Sequence, residues 1–495
     1  MASLPNIVMI MTDQQRADFT RSEGFALDTT PFIDAIGCAG ARFRNAYTPM
    51  PVCAPARCSL FTGRYPKATR VRQNSATGNI FHPTDLVTIL REHGYRIYLA
   101  GKNHSHLRRE DFDGYAAPYS HTGGPPEGRS AQEAAFDAWL HALDHGVNLR
   151  PTPFPLECQL PYRIVRDAMT LVDGNGKQPF FLWLSFPEPH NPYQVPEPYF
   201  SLFPEAAIPE RIAGPEAADA KGDSYRWLRR LIEAKRPGYD EQWRRYRANY
   251  CGMLRLLDDQ VCRFVRHLEE RALREHTLLI FCSDHGDYAG DYGLQRKGAG
   301  LPECLIRVPL IVSGPGVLRR SAPITDFVSL VDLMPTLCEV VGADIPYGVQ
   351  GRSLWPMLTG HSYPPEEFRS IYAELGFGGL SYTADEHPLL HFPYEGPTFD
   401  ELNSVTQSGN LKMVRMGRWK LLFDSQGHGE LYDLEGDPGE LHDLYTASAY
   451  HEPRLALTEE LLSWTIRTED DLPGARYTPK RAEHNWHVPY RRSEE

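Results

Sequence analysis

The 495-residue sequence has no CxxC pair, only nine lysines and no apolar run near the ~18 residues of a membrane-spanning helix. Its nine cysteines are odd in number and scattered: Cys38, Cys53, Cys58, Cys158, Cys251, Cys262, Cys282, Cys304 and Cys338. That argues against a disulfide framework and points to a reducing compartment. The first apolar stretch, Asn6-Ile-Val-Met-Ile-Met11, is too short for a signal sequence and lacks a basic leader, so the expectation is a cytoplasmic protein without a membrane partner. An excess of positive charge is missing too. Fifty-two basic residues stand against 64 acidic ones, a net charge of −12 with no segregated basic patch, so no nucleic-acid partner is expected. A small anionic ligand held by a few pocket cations remains compatible with that balance.

What is present is a soluble, core-forming chain. Apolar residues make up 41% and charged residues 23%, which excludes wholesale disorder. Apolar, β-branched runs at 7–11, 96–100, 180–185, 277–282 and 309–313 read as buried strands. Between them fall helical patterns at 31–39, 84–93, 161–173, 240–271 and 328–341. This alternation predicts an α/β fold with a large, mostly parallel sheet sandwiched by helices. After residues 360–365 the pattern changes to short alternating runs at 412–416, 419–423 and 430–434, followed by a helix at 454–468. The expected organisation is therefore a catalytic domain at 1–365, a smaller α+β domain with an antiparallel sheet at 366–470, and a tail at 471–495. Segments 204–223 and 375–403 are rich in Pro, Gly and polar residues and read as excursions from the scaffold.

Chemistry-bearing residues gather next to these predicted strands. In Cys53-Ala-Pro-Ala-Arg57, a cation four residues after the thiol would lower its pKa, and Pro55 and Gly63 bracket one short helix. Cys53 would then sit at a helix N-terminus, which favours an anion; the plain alternative is a buried structural cysteine. Strand 7–11 leads into Asp13-Gln14, and strand 277–282 into Asp284-His285-Gly286-Asp287. At the C-terminal ends of parallel strands these groups face one crevice. Their oxygens suit a hard divalent cation, Ca²⁺ before Mg²⁺.

Cys53-x-Pro-x-Arg57, with Thr62-Gly63 after it, resembles the modification signature of the sulfatase family, within the alkaline phosphatase superfamily. The resemblance implies that Cys53 is oxidised to formylglycine by a formylglycine-generating enzyme. It also implies a metal cradle of Asp13, Gln14, Asp284 and His285 together with the modified Cys53. Gly101-Lys102-Asn103-His104, Pro189-His190-Asn191-Pro192-Tyr193 and the loop 287–298 carrying Lys297 resemble further family motifs. Three departures stand out: Ala56 where the family usually has Ser, Gln14 and His285 where many members have Asp and Asn, and Tyr292 where His is common. An imidazole in the cradle makes Mn²⁺ an alternative to Ca²⁺.

The resemblance implies hydrolysis of a sulfate monoester of a sugar or aryl alcohol through a formylglycine gem-diol and a covalent sulfo-enzyme. In that scheme Asp284 helps deprotonate the nucleophile and Arg57 holds the formylglycine. Lys297 and His190 bind the ester and protonate the leaving group, while Lys102 and His104 serve the step that expels sulfate. Two other readings stay open: a phosphonate monoester or phosphodiester hydrolase on the same scaffold, and an unmodified protein that only binds sulfated glycans. The aromatic-rich tail with Tyr477, Trp486 and Tyr490 is expected to pack on its own domain; the alternative is a homo-oligomer in which it reaches a neighbour's pocket.

Overall fold

In the computed structural model, which describes residues 4–82, 84–383, 386 and 406–469, the first apolar run becomes the central strand β1 (Asn6–Asp13). Its period-two alternation sends Ile7, Met9 and Met11 to one face and Val8 and Ile10 to the other. Both faces are covered, so the strand reads as continuously apolar. The remaining strands of this sheet are β2 (Ala41–Tyr47), β3 (Arg96–Gly101), β4 (Gly114–Ala116), β5 (Phe180–Pro189), β6 (Thr277–Ser283), β7 (Leu310–Ser313) and β8 (Ile324–Ser329). They lie in the order β4-β3-β5-β1-β6-β7-β2-β8. Pairing is parallel except on the two flanks of β7. Met9 of β1 stands opposite Trp183 of β5 and Ile280 of β6, and these residues seed one core layer.

The other layer is built by Val8, Ile10, Leu182 and Leu184 against Ile164 of helix Leu160–Asp173 and Leu257 and Phe264 of helix Trp243–Glu270. The mixed sheet between helices is thus the expected α/β architecture. The smaller sheet follows, β9 (Ser370–Gly378), β10 (Gly409–Met416), β11 (Trp419–Asp424) and β12 (Gly429–Asp433), antiparallel throughout in the order β12-β11-β10-β9. Helix His451–Arg467 closes it: the Trp464 ring stacks on Tyr372 at 5.9 Å, and its indole N–H donates to Ser370 Oγ at 2.8 Å.

Element limits differ from the sequence expectation where polar residues intervene. Residues 328–329, read as the start of a helix, finish β8. Ser329 and Asp332 then form a reciprocal capping box, and the α-helix begins only at Leu333. The 204–223 excursion contains the short helix Glu216–Ala220. Most of the 375–403 excursion, and the whole tail at 471–495, lie outside the described residues.

One long-range cap ties the layers together. Helix Pro31–Ala39 has no side-chain cap from its own Thr30. Instead Asp258, in the middle of helix Trp243–Glu270, accepts from Phe32 N at 2.9 Å and Ile33 N at 2.8 Å. Burial pushes this carboxyl up to about 7, against the pull of the two N–H donors. Asp258→Ala would strand both donors, so we expect a loss of about 2–3 kcal/mol. Asp258→Asn, which keeps an acceptor, should fall between. Thermal and urea melts of the three proteins measure this; an Ala variant as stable as the parent would refute the cap.

Candidate active site

Four neighbouring strands, β3, β5, β1 and β6, end on the same side of the sheet. The residues that follow them are Lys102, His190, Asp13-Gln14 and Asp284-His285, far apart in sequence and adjacent in space. Cys53 is the first residue of helix Cys53–Thr62, every residue of which is buried. The helix stops at Gly63, whose φ of 65° suits a residue without Cβ; a Cβ there would meet Val349 at 2.8 Å.

The Cys53 sulfur lies 3.2 Å from His285 Nε2, 3.7 Å from Asp13 Oδ1 and 4.0 Å from Lys102 Nζ. His285 Nδ1 is 2.9 Å from the Gly286 carbonyl, the pairing that makes Nδ1 the protonated nitrogen and turns Nε2 into the site. Arg57 is fully buried and binds both carboxylates: Nε donates to Asp284 Oδ2 at 2.8 Å and Nη2 to Asp13 Oδ2 at 3.1 Å. Its Nη1 donates to Ser185 Oγ and to the carbonyls of Lys102 and Asn103. With its donors occupied in this way, Arg57 positions the strand ends around Cys53. Gln14 adopts a φ of 77°; its amide donates to Asp287 Oδ2 at 2.6 Å, and its Oε1 accepts from Lys297 Nζ at 3.0 Å. Lys297 Nζ also lies 3.4 Å from His190 Nε2, while His190 Nδ1 pairs with the Asn191 carbonyl at 2.7 Å.

The charges are distributed unevenly. Burial opposes ionisation of Asp13, but Lys102, His190, Arg57 and His285 outweigh it and hold this carboxyl well below its usual range. Asp284 is pushed above its usual range by burial and then by the Asp13 carboxylate. Burial and Asp13 would raise the Cys53 thiol, yet Lys102, Lys297 and His285 bring it well below the usual value, toward thiolate. His190 is held far below its usual value by burial, Lys297 and His121, so its imidazole is neutral.

This donor set fits a divalent cation. Donor atoms of Asp13, Cys53, Asp284 and His285 all lie within 4.8 Å of one another, and Gln14 follows Asp13 with its amide oxygen bound by Lys297. Arg57 and His285 are both shared between the two carboxylates, and a cation between them would relieve the burial and the Asp13 charge that push Asp284 up. Carboxylate and amide oxygens suit Ca²⁺, and the imidazole suits Mn²⁺.

Of the residues expected from the sequence, the structure brings together Asp13, Gln14, Cys53, Arg57, Lys102, His190, Asp284, His285 and Lys297. His104 is the exception. It is half-buried two residues beyond Lys102, at a φ of 45°, and makes no hydrogen bond to another described residue. Tyr292 donates to the Gly439 carbonyl and packs in the core, a structural role. Several neighbours were not legible in the sequence. Ser185 receives Arg57 and Asn74 accepts from the Ala54 amide beside Cys53, whereas Asp287, expected at this strand end, orients Gln14. The His121 ring stacks on His190 at 4.6 Å and sits 4.6 Å from His145. Glu188 is buried with its Oε2 unpartnered, and burial pushes it up to about 8. A carboxylic acid between two prolines at a strand end, just ahead of His190, was the one signal that could have exposed it.

Comparison with known proteins gives a consistent set of likenesses. A family model described as Sulfatase matches residues 5–343. The multifunctional alkaline phosphatase superfamily protein PehA of Trinickia caryophylli is 28% identical, covering 94% of this chain and 96% of its own. The arylsulfatase of Clostridium perfringens is 28% identical, over 90% and 92% respectively. The crystal structure of the phosphonate monoester hydrolase of Agrobacterium radiobacter matches with a TM-score of 0.77 at 25% identity, covering 94% of this chain and 96% of that one. The cytoplasmic expectation is corrected. A relative 28% identical across 72% of this chain, from Drosophila melanogaster, is named an extracellular sulfatase, the SULF-1 homolog. The cysteine argument fails for a physical reason: the nine thiols are free, but seven are buried, packed as small apolar side chains rather than marking a compartment.

Glu188 gives a pH prediction. The folded chain keeps a proton that the unfolded chain releases above about 4.5, so stability contributed by this group is complete below that pH. It is lost as pH rises through about 8. Glu188→Gln should flatten the fall in melting temperature between roughly pH 5 and pH 8. An unchanged slope would show that Glu188 is ionised when buried.

Proposed function

We propose, from the premise that this chain belongs to the sulfatase family, that it hydrolyses a sulfate monoester of a sugar or aryl alcohol with formylglycine at position 53. Sulfatases are hydrolases of sulfate esters, and the chain is an enzyme of that kind. The observation that carries the finer reading is the placement of Cys53. It is the first residue of a buried helix, with Lys102, His285 and Asp13 within 4.0 Å of its sulfur. Formylglycine there would supply a hydrated aldehyde oxygen as nucleophile, and its second hydroxyl would let sulfate be eliminated without attack by water on the sulfated intermediate. Cys53 is 2% exposed, so a formylglycine-generating enzyme would have to act before the fold closes over it.

A divalent cation held by Asp13, Gln14, Asp284, His285 and the modified residue would neutralise the ester oxygens and act as a Lewis acid. The chain's own groups divide the rest. Arg57 fixes Asp13 and Asp284 and has no role on substrate. Asp284 is the carboxylate beside the nucleophile and takes its proton. Lys297 binds the ester, and His190 Nε2, 3.4 Å from Lys297 Nζ, takes a proton from it and gives that proton to the departing alcohol from the same nitrogen. Lys102 places positive charge beside position 53, and His104 on the same loop accepts the proton that closes the cycle. The neutral state of His190 fits a relay that Lys297 loads rather than a standing acid.

A second reading, phosphonate monoester hydrolysis at the same site, is favoured by the close structural likeness to a phosphonate monoester hydrolase. Lys102 beside position 53 and His104 on the same loop argue for sulfate, because positive charge and a base that takes the second hydroxyl's proton suit expulsion of the sulfate dianion. Rates on matched aryl sulfate and aryl phosphonate monoesters, with formylglycine content measured by mass spectrometry of the Cys53 peptide, decide between them. We expect kcat/KM to favour sulfate, chelation to abolish turnover, and Cys53→Ala to lower kcat by about a thousandfold or more with the melting temperature retained. A higher rate on the phosphonate would establish the second reading, and an active Cys53→Ala enzyme would remove formylglycine from both.

A further inference from the structure

A second cluster of metal-ligand type lies outside the Cys53 site and shares no residue with it: His82, Asp85 and His106. The three come from different segments. His82 follows the 3₁₀ turn Asn74–Asn79, Asp85 is the N-cap of helix Leu86–Glu92, and His106 lies on the loop that leaves β3 with Lys102 and His104. One donor atom from each lies within 4.8 Å of the others. His106 Nε2 and Asp85 Oδ2 are 3.1 Å apart, close to the separation of about 3.3 Å between two ligands held 2.0–2.1 Å from a tetrahedral zinc. The His82 and His106 rings stand 4.9 Å apart and tilted by 59°, too inclined for stacking. His82 Nδ1 is buried and makes no hydrogen bond to a described residue. The Asp85–His106 contact alone would explain two members of the cluster, but not a third imidazole brought in with an unsatisfied nitrogen.

We infer that His82, Asp85 and His106 bind a zinc ion, with water completing the fourth position. Two imidazoles and one carboxylate select zinc over the calcium expected of an all-oxygen site. The carboxylate is already oriented. Asp85 Oδ1 accepts from Thr88 N at 2.8 Å, so one oxygen caps the helix while the other faces His106. The side chains of His106 and Asp85 are only 6% and 10% exposed, so the ion would lie just beneath the surface, reachable by water. Its consequence is positional. The 102–107 loop is anchored at its start by Arg57, through the carbonyls of Lys102 and Asn103, and internally by Asn103 donating to the Leu107 carbonyl. Zinc at His106 would fix the far end of that loop to the helix at Asp85, and with it the backbone that carries Lys102 and His104.

The test uses the full-length protein with its Cys53-site ligands intact. Metal content is measured after equilibration with Zn²⁺ and after Co²⁺ replacement, for the parent, His82→Ala/His106→Ala and Asp85→Asn; the last keeps an N-cap residue. The parent should bind one more equivalent of Zn²⁺ than the double variant, and Co²⁺ there should give the visible absorption of a four-coordinate site. Asp85→Asn should weaken that equivalent by about 10–100-fold. Excess Ca²⁺ should not displace it. The inference fails if the parent takes up no equivalent beyond that of the Cys53 site, a result that needs no variant to fold. It fails equally if folded variants, checked by circular dichroism, bind as many equivalents as the parent. These readouts are metal stoichiometry and spectrum, so they stand apart from whether the enzyme prefers sulfate.

Discussion

The Arg57 guanidinium is the contact on which the rest of the site depends. Without exposure to water, it holds Asp13 at the end of β1, Asp284 at the end of β6, Ser185 within β5 and the carbonyls that follow β3. One planar cation therefore sets the spacing of four strand ends. A lysine could not do this, because it offers a point charge rather than a fork of donors in fixed directions. Removing one partner from such a buried network is costly, since the groups left behind have neither water nor a counter-charge. That Arg57 lies one helical turn from Cys53 explains why thiol and guanidinium share a short motif. The helix delivers Cys53, and its next turn delivers the clamp.

The use of basic residues follows the same logic across the molecule. Buried arginines pair with carboxylates as structural forks: Arg16 and Arg247 share Asp291, Arg163 holds Asp137, and Arg352 holds Asp332. Lysine is rare and is placed where a compact charge is wanted. Lys102 and Lys297 converge on the Cys53 site, and the fully buried Lys420 joins β11 to Glu303 and Glu440. A scarce residue at two motif positions was informative in the sequence because this division of labour stands behind it.

Strands β1, β3, β5, β6 and β7 were legible because each is largely buried on both faces and written as an apolar run. β4 escaped because three residues carry no pattern, and β2 and β8 because their sequences carry exposed polar positions. β2 reads Ala-Arg-Phe-Arg-Asn-Ala-Tyr, and β8 carries Thr325 and Asp326 before its apolar end. The antiparallel insertion of β7 leaves no mark on its own composition; it is a property of the path between β6 and β2. In the site, residues that directly follow strands were legible, since strand ends in a parallel sheet converge by geometry. Ser185, Asn74, His121 and Glu188 were not, because each takes its meaning from a partner supplied by another segment.

Those less legible residues set the electrostatics. Around position 53 the charges interleave: Lys102 pairs with Asp13, Arg57 holds Asp284, and Lys297 lies toward a column of imidazoles, His190, His121 and His145. Burial makes each of these charges stronger toward its neighbours and costlier alone. Glu188 answers that cost by keeping its proton, and His190 and His121 by losing theirs. The full charges that remain are therefore those with a partner or a substrate to meet. The arrangement is asymmetric about Cys53, with anion-binding groups gathered on the Lys297 side and cation-binding oxygens on the Asp13–Asp284 side. A substrate that presents an anionic ester to one and shares a cation with the other is held in one orientation by charge alone, before any contact with its alcohol is made.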